Sequence, residues 1–268
     1  MFRSGFVVLA VLVLSVPAEK FKVIREWKYL NFTWSSPEVY QTTHDQGNYI
    51  PENNIIAGVK QYHEYYYLTL PRMKPGVPAT LTRVPAGPVT RDTAPLLEPF
   101  PSWAMNQVGD CQALQNVQNV EVDAKGQMWI IDGGRTETLG SAPVVRCPPK
   151  LVIYDINQKS TTTFYTFPDE VASYNSSFLY DIVVDDTDGG YAYISDNSAK
   201  DPGLIVFSLK QHHSWKIRHS ATMHADKRAS AFKVNSVTVS APINIAGIAL
   251  GPRVKQQKEG VVVSEERE

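Results

Sequence analysis

Apolar and polar positions alternate in short runs along most of the chain, and turns bearing Gly, Asn, Asp or Ser close the runs. The stretch "NVEVDAKGQMWIID", around Val122, has an alternating apolar run, an Asp, a glycine turn, an aromatic-containing run and a closing Asp. The stretch "DIVVDDTDGGYAYISD", around Val184, repeats that order. Taking Val59, Val122, Val184 and Ile248 as equivalents gives spacings of 63, 62 and 64 residues, and self-similarity at a fixed period marks a repeat architecture.

Within one period the pattern predicts strands over Val117–Val122, Met128–Asp132, Lys150–Asp155 and Thr161–Pro168. In the next it predicts Tyr180–Val184, Tyr191–Ser195, Leu204–Ser208 and Trp215–His219. Four antiparallel strands per repeat describe a propeller blade, and no amphipathic helix longer than two turns is expected. The reading is an all-β β-propeller with about three blades. "NIIAGVK" from Asn54 and "NIAGIAL" from Asn244 are the first strands of blades one and four. The expected organisation is a signal peptide at 1–18, a partial propeller at 19–252 and a divergent tail at 253–268.

The ends and the cysteines bear on compartment. Arg3, the apolar run Phe6–Val16 and small residues at Val16 and Ala18 predict a cleaved secretory leader, too short for a membrane span of roughly 20 residues. Two cysteines in an oxidising compartment predict a Cys111–Cys147 disulfide. "NFT" at Asn31 and "NSS" at Asn175 are glycosylation sequons. A net charge of −1 with no basic face argues against nucleic acid.

The segments "FKVIREWKYLNFTW", "YIPENNIIAGVKQY", "GDCQALQNVQNVEVDAKGQMWIIDGG", "CPPKLVIYDI", "SFLYDIVVD" and "AYISDNSAKDPGLIVFSL" resemble the insect yellow / major royal jelly protein family, almost continuously from Phe21 to Pro252. The resemblance implies a secreted six-bladed propeller, of which this sequence has the look of a truncated member. It further implies one of three roles: binding of biogenic amines in the propeller channel, dopachrome-converting chemistry in pigment formation, or a structural or nutrient role. It supplies no shared catalytic motif and implies no cofactor.

Antiparallel pairing puts the start of each first strand beside the end of each second strand. That gathers Asn54, Asn119 and Tyr180 near Asp132 and near Asp196 and Asn197, a set able to hold an aromatic amine or catechol-derived ligand by carboxylate, amide and ring. The competing reading is that these Asp and Asn side chains tie down loop backbone. "DDTDGG" at Asp185–Gly190 reads as a hairpin turn rather than a calcium loop, and no H-x-x-x-H or H-E-x-x-H pattern is present. No G-x-S-x-G elbow is present. An N-terminal strand at Phe21–Trp34 without a final blade to complete, and an uncovered third blade, predict self-association.

Overall fold

The computed structural model describes residues 23–87, 94–140, 142–226, 228, 232–239 and 243–251. The expected leader at 1–18 and tail at 253–268 lie outside them. The described residues form antiparallel sheets with little helix, so the chain is all-β.

Three four-stranded sheets follow one another along the sequence. Sheet 1 contains β1 (Gly58–Tyr62), β2 (Tyr65–Thr69), β3 (Leu81–Pro85) and the two-residue β4 (Glu98–Pro99). Sheet 2 contains β5 (Val117–Val122) and β6 (Gln127–Asp132). It is interrupted by a small hairpin of β7 (Arg135–Thr136) and β8 (Val144–Val145), then completed by β9 (Lys150–Asp155) and β10 (Ser160–Thr166). Sheet 3 is β11 (Leu179–Asp185), β12 (Tyr191–Asp196), β13 (Gly203–Ser208) and β14 (His213–Ile217). A hairpin of β15 (Phe232–Val234) and β16 (Val237–Val239) follows.

The first strands β1, β5 and β11 lie side by side, so the sheets stack with their first strands along a common edge. Sheet 2 is covered on both faces, which explains why "MWII" is apolar throughout instead of alternating. Met128 and Ile130 join the core shared with Tyr67 and Leu81 of sheet 1. Trp129 and Ile131 join the core shared with Ile182, Ile194 and Phe207 of sheet 3. Fully burying such a side chain contributes about 1.5–3 kcal/mol. On sheet 3, Ile205 and Phe207 face sheet 2, while Trp215 and Ile217 stand on the opposite face, 37% and 44% exposed.

Three expectations change. Residues 37–45 form a helix, α1 (Pro37–Asp45), capped by Ser36, whose Oγ accepts from Val39 N, with a proline in the first turn. It buries no residue, so it left no apolar periodicity to read. The N-terminal segment is not left without a partner: Phe32 bridges Leu97 in parallel, and Leu30, Phe32 and Tyr49 pack on Leu68 and Val84 of sheet 1 and on Leu70 just after β2.

The third change concerns residues 244–250, which form no strand. They still lie where a next first strand would. Thr69 Oγ1 donates to Gln118 O across sheets 1 and 2, and Ser195 Oγ donates to Ala246 O beside sheet 3. Gln118 and Ala246 are 128 residues apart (246 − 118), two periods. Among the described residues no second strand flanks the segment, so side chains of sheet 3 and of the loop after β12, with the Met223 carbonyl, hold it instead of a ladder.

Candidate functional site

Two kinds of polar group lie near the first strands of the sheets. The first kind links or closes the sheets. Asn119 Nδ2 donates to Asp181 Oδ1 at 2.6 Å, while Asp181 Oδ2 accepts from Ile248 N at 2.9 Å. One carboxylate thus joins sheet 2, sheet 3 and the segment that follows. Asn197 Nδ2 donates to the carbonyls of Asn244 and Ile245. Asn54 Nδ2 ties Ile50 O to Gly76 O, and its Oδ1 is buried without a partner.

Asp132 and Asp196, which close the second strands of sheets 2 and 3, are fully buried. Asp132 accepts from the backbone N–H groups of Gln115, Asn116 and Gly134. Lys150 Nζ lies 2.7 Å from its Oδ2 without hydrogen-bond alignment, so this pair is held by charge and proximity. Asp196 accepts from Phe178 N and Ser198 N, and from Lys216 Nζ at 2.8 Å. Gly134 sits at φ +69° beside this loop, in the left-handed region, and its carbonyl accepts from Arg146 N and Cys147 N. Of the six residues expected at a mouth, Tyr180 is the most open, at 41% exposed. Asn54, Asn119, Asp132, Asp196 and Asn197 spend polar atoms inside the fold, and none of the six lines the cavities described below.

The second kind lines space. A cavity of roughly 520 Å³ lies at the far ends of the first strands. Lys60 comes from β1, Glu121 and Val122 from β5, Asp123 from the turn after it, Val183 and Val184 from β11, and Ile248 and Leu250 from the following segment. Asp186 completes the rim, so the lining has three carboxylates against one lysine. Lys60 Nζ meets Glu121 Oε2 at 2.7 Å, with both side chains partly exposed at 33% and 25%. Asp123 is committed to its turn, accepting from Lys125 N, Gln127 N and Trp129 Nε1. No group of three or more His, Cys, Asp and Glu among the described residues is placed to hold a metal.

Sequence reasoning missed this lining, although a signal existed. Lys60 and Glu121 are opposite charges on first strands, 61 residues apart (121 − 60), close to one period. Asn119 and Asp181 are 62 apart (181 − 119) and likewise touch. Polar residues one period apart on the first strands are neighbours.

The disulfide forms as expected. Cys111 and Cys147 are bonded with Cα atoms 5.4 Å apart, joining the loop before β5 to the insertion that precedes β9. Asn175 is exposed; Asn31 is half-buried, and its Oδ1 accepts from Trp34 Nε1. No helix among the described residues is long and apolar enough to cross a membrane.

Residues 115–260 match the family described as major royal jelly protein, and the chain belongs to that family. It is 31% identical to a dopaminechrome tautomerase of Drosophila melanogaster over 222 residues, 80% of this chain and 46% of that protein. It is 28% identical to protein yellow of Drosophila erecta over 261 residues, and 27% identical to protein yellow of Drosophila melanogaster over 261 residues. Each of these two alignments covers 94% of this chain and 47% of the relative. The chain spans about half the length of the curated relatives it matches.

Proposed function

We propose that the three sheets are successive blades of a β-propeller, and that the chain is a secreted glycoprotein binding a small aromatic amine or catechol-derived ligand in the cavity beside its inner strands. The observation that carries this reading is the lining charge: Glu121, Asp123 and Asp186 against Lys60, next to apolar surface from Val183, Val184, Ile248 and Leu250. An excess of carboxylate attracts an ammonium, and the aliphatic wall takes a ring. Glu121 is the proposed amine partner. Its pair with Lys60 is partly exposed and so worth about 0–1 kcal/mol, which makes exchange of one ammonium for another inexpensive.

Titrating the secreted chain with dopamine and serotonin tests the reading. Glu121→Gln is expected to weaken dopamine binding by about tenfold, the factor that corresponds to roughly 1.4 kcal/mol. Equal affinity in the variant places the amine elsewhere, and no binding by either protein sinks the reading.

The similarity to a dopaminechrome tautomerase favours a second reading, isomerisation of a catechol-derived quinone in a pigment-forming pathway. That chemistry needs a base at the carbon that loses its proton and a donor for the developing oxyanion. Glu121 and Lys60 offer one of each within 2.7 Å. Decay of dopaminechrome absorbance, faster with the chain than without it and slowed in Glu121→Gln, is the expected result. A rate equal to the uncatalysed one leaves ligand binding without turnover.

A further inference from the structure

A second cavity, of roughly 720 Å³, lies away from the inner strands. It is bounded by α1, the loop between β2 and β3, the residues around Trp103 and the insertion carrying β7. Its charge is opposite to that of the inner cavity. Arg72, Lys74 and Arg146 line it, against the single acid Glu137 among its described lining residues.

Arg72 is the unusual member. It is 3% exposed, and all five hydrogen bonds of its guanidinium go to backbone carbonyl oxygens: Val77, Pro78, Asn106, Leu114 and Gln115. No carboxylate hydrogen-bonds to it, so its guanidinium is solvated by carbonyl dipoles at the cavity wall, with the Asp132 carboxylate acting on it only through space. Burial lowers its pKa to about 10, against the pull of Asp132. Lys74 is exposed and has no hydrogen bond or ion pair among the described residues. Arg146 is shared between Thr136 Oγ1 and a loose 3.5 Å contact with Glu137.

The apolar wall is aromatic. Trp34 and Trp103 stack with centroids 5.1 Å apart, and both line the cavity beside Val39, Val77 and Val108. Their indole N–H groups are directed to Asn31 Oδ1 and Thr33 O, so the cavity meets ring surface rather than donors. We infer that this cavity is a second ligand site, and that it takes a small planar aromatic carboxylate. The ring lies against the tryptophan and valine wall, and the carboxylate is held by Lys74 and Arg146 in the field of Arg72. Cationic rims over low-dielectric walls concentrate anions, and the volume suits a molecule of one or two rings. The inference does not rest on amine binding in the inner cavity.

The test uses a matched pair of opposite charge, indole-3-acetate and tryptamine, titrated calorimetrically into the full chain. Indole-3-acetate is expected to bind, to weaken with added salt, and to lose about tenfold in affinity in Lys74→Glu. Glu137→Gln, which removes the acid from the rim, is expected to tighten it. Saturating dopamine is expected to leave the acid bound. Displacement by dopamine would mean that the acid and the amine share one site, and would overturn the inference. So would tryptamine binding as tightly as indole-3-acetate in wild type, or both variants leaving the acid's affinity unchanged.

Discussion

Gly203 leaves the space that Lys216 occupies. A Cβ on Gly203 would lie 2.8 Å from Lys216 Cε and 2.6 Å from the carbonyl oxygen of Ile217. Gly203 is the cross-strand partner of Asp196, just as Lys150 is the cross-strand partner of Asp132. Sheet 2 thus places its buried lysine directly opposite the aspartate. Sheet 3 places a glycine there and sends the lysine in from the next strand. The same buried charge is met by two different routes.

Gly203→Ala is therefore expected to destabilise the protein by about 1–3 kcal/mol, the usual range for overpacking, because the nearest obstacle is backbone and cannot swing aside. Thermal unfolding measures the loss. A variant as stable as wild type would mean that β14 is free to move outward and Lys216 to withdraw from Asp196.

The two lysines should not be equivalent. Asp132 keeps three backbone N–H donors without Lys150, whose contact is unaligned. Asp196 keeps two without Lys216, which bonds it at 2.8 Å and whose side chain is 1% exposed. Stranding a buried charge costs about 3–5 kcal/mol. Lys216→Met is expected near that range, and Lys150→Met below it. Chemical denaturation of both variants gives the comparison, and the reverse order would show that alignment is not what sets the cost.

The strands were legible because two signals agreed: alternation along each run, and a period near 63 between runs. Val117–Val122 and Lys150–Asp155 match the expected bounds, and the other predicted strands in sheets 2 and 3 shift by no more than two residues. The role of Asp132 and Asp196 was not legible. An aspartate closing a second strand looks the same whether it opens to a ligand or accepts loop N–H groups. Here each faces a lysine, 18 residues on in one sheet (150 − 132) and 20 in the other (216 − 196), on different strands, which alternation along the chain does not signal. The cavities were hidden for a related reason. Lys60, Glu121 and Asp186 each look like solvated charges until the sheets stack.

The Cys111–Cys147 bridge closes a separation of 36 residues, for which chain entropy gives roughly 3–4 kcal/mol. It also anchors the insertion that contributes Thr136, Glu137 and Arg146 to the outer cavity. The double substitution Cys111→Ser/Cys147→Ser is expected to lower the unfolding temperature and to weaken indole-3-acetate binding. It is expected to leave dopamine binding at the inner cavity much less affected. Equal loss at both cavities would show that the bridge supports the whole fold rather than this insertion.

Acid stability should depend on Asp201. The Arg218 guanidinium grips its carboxyl through Nε at 2.7 Å and Nη2 at 2.9 Å, and Lys216 Nζ adds a contact at 3.1 Å. These partners, Arg218 first, hold its pKa down at about 2, against roughly 3.9 in an unfolded chain. Because the folded value is the lower one, the contribution is fully present above about pH 4 and is lost as pH falls toward 2. The side chain is 40% exposed, so solvent screening keeps the contribution small, within about 1 kcal/mol. Asp201→Asn is expected to flatten the stability–pH curve between pH 4 and pH 2 while leaving its shape near neutrality intact. Unfolding midpoints across that window, for both proteins at low and high salt, make the comparison. A variant with the same acid slope as wild type would assign the acid transition to other carboxylates.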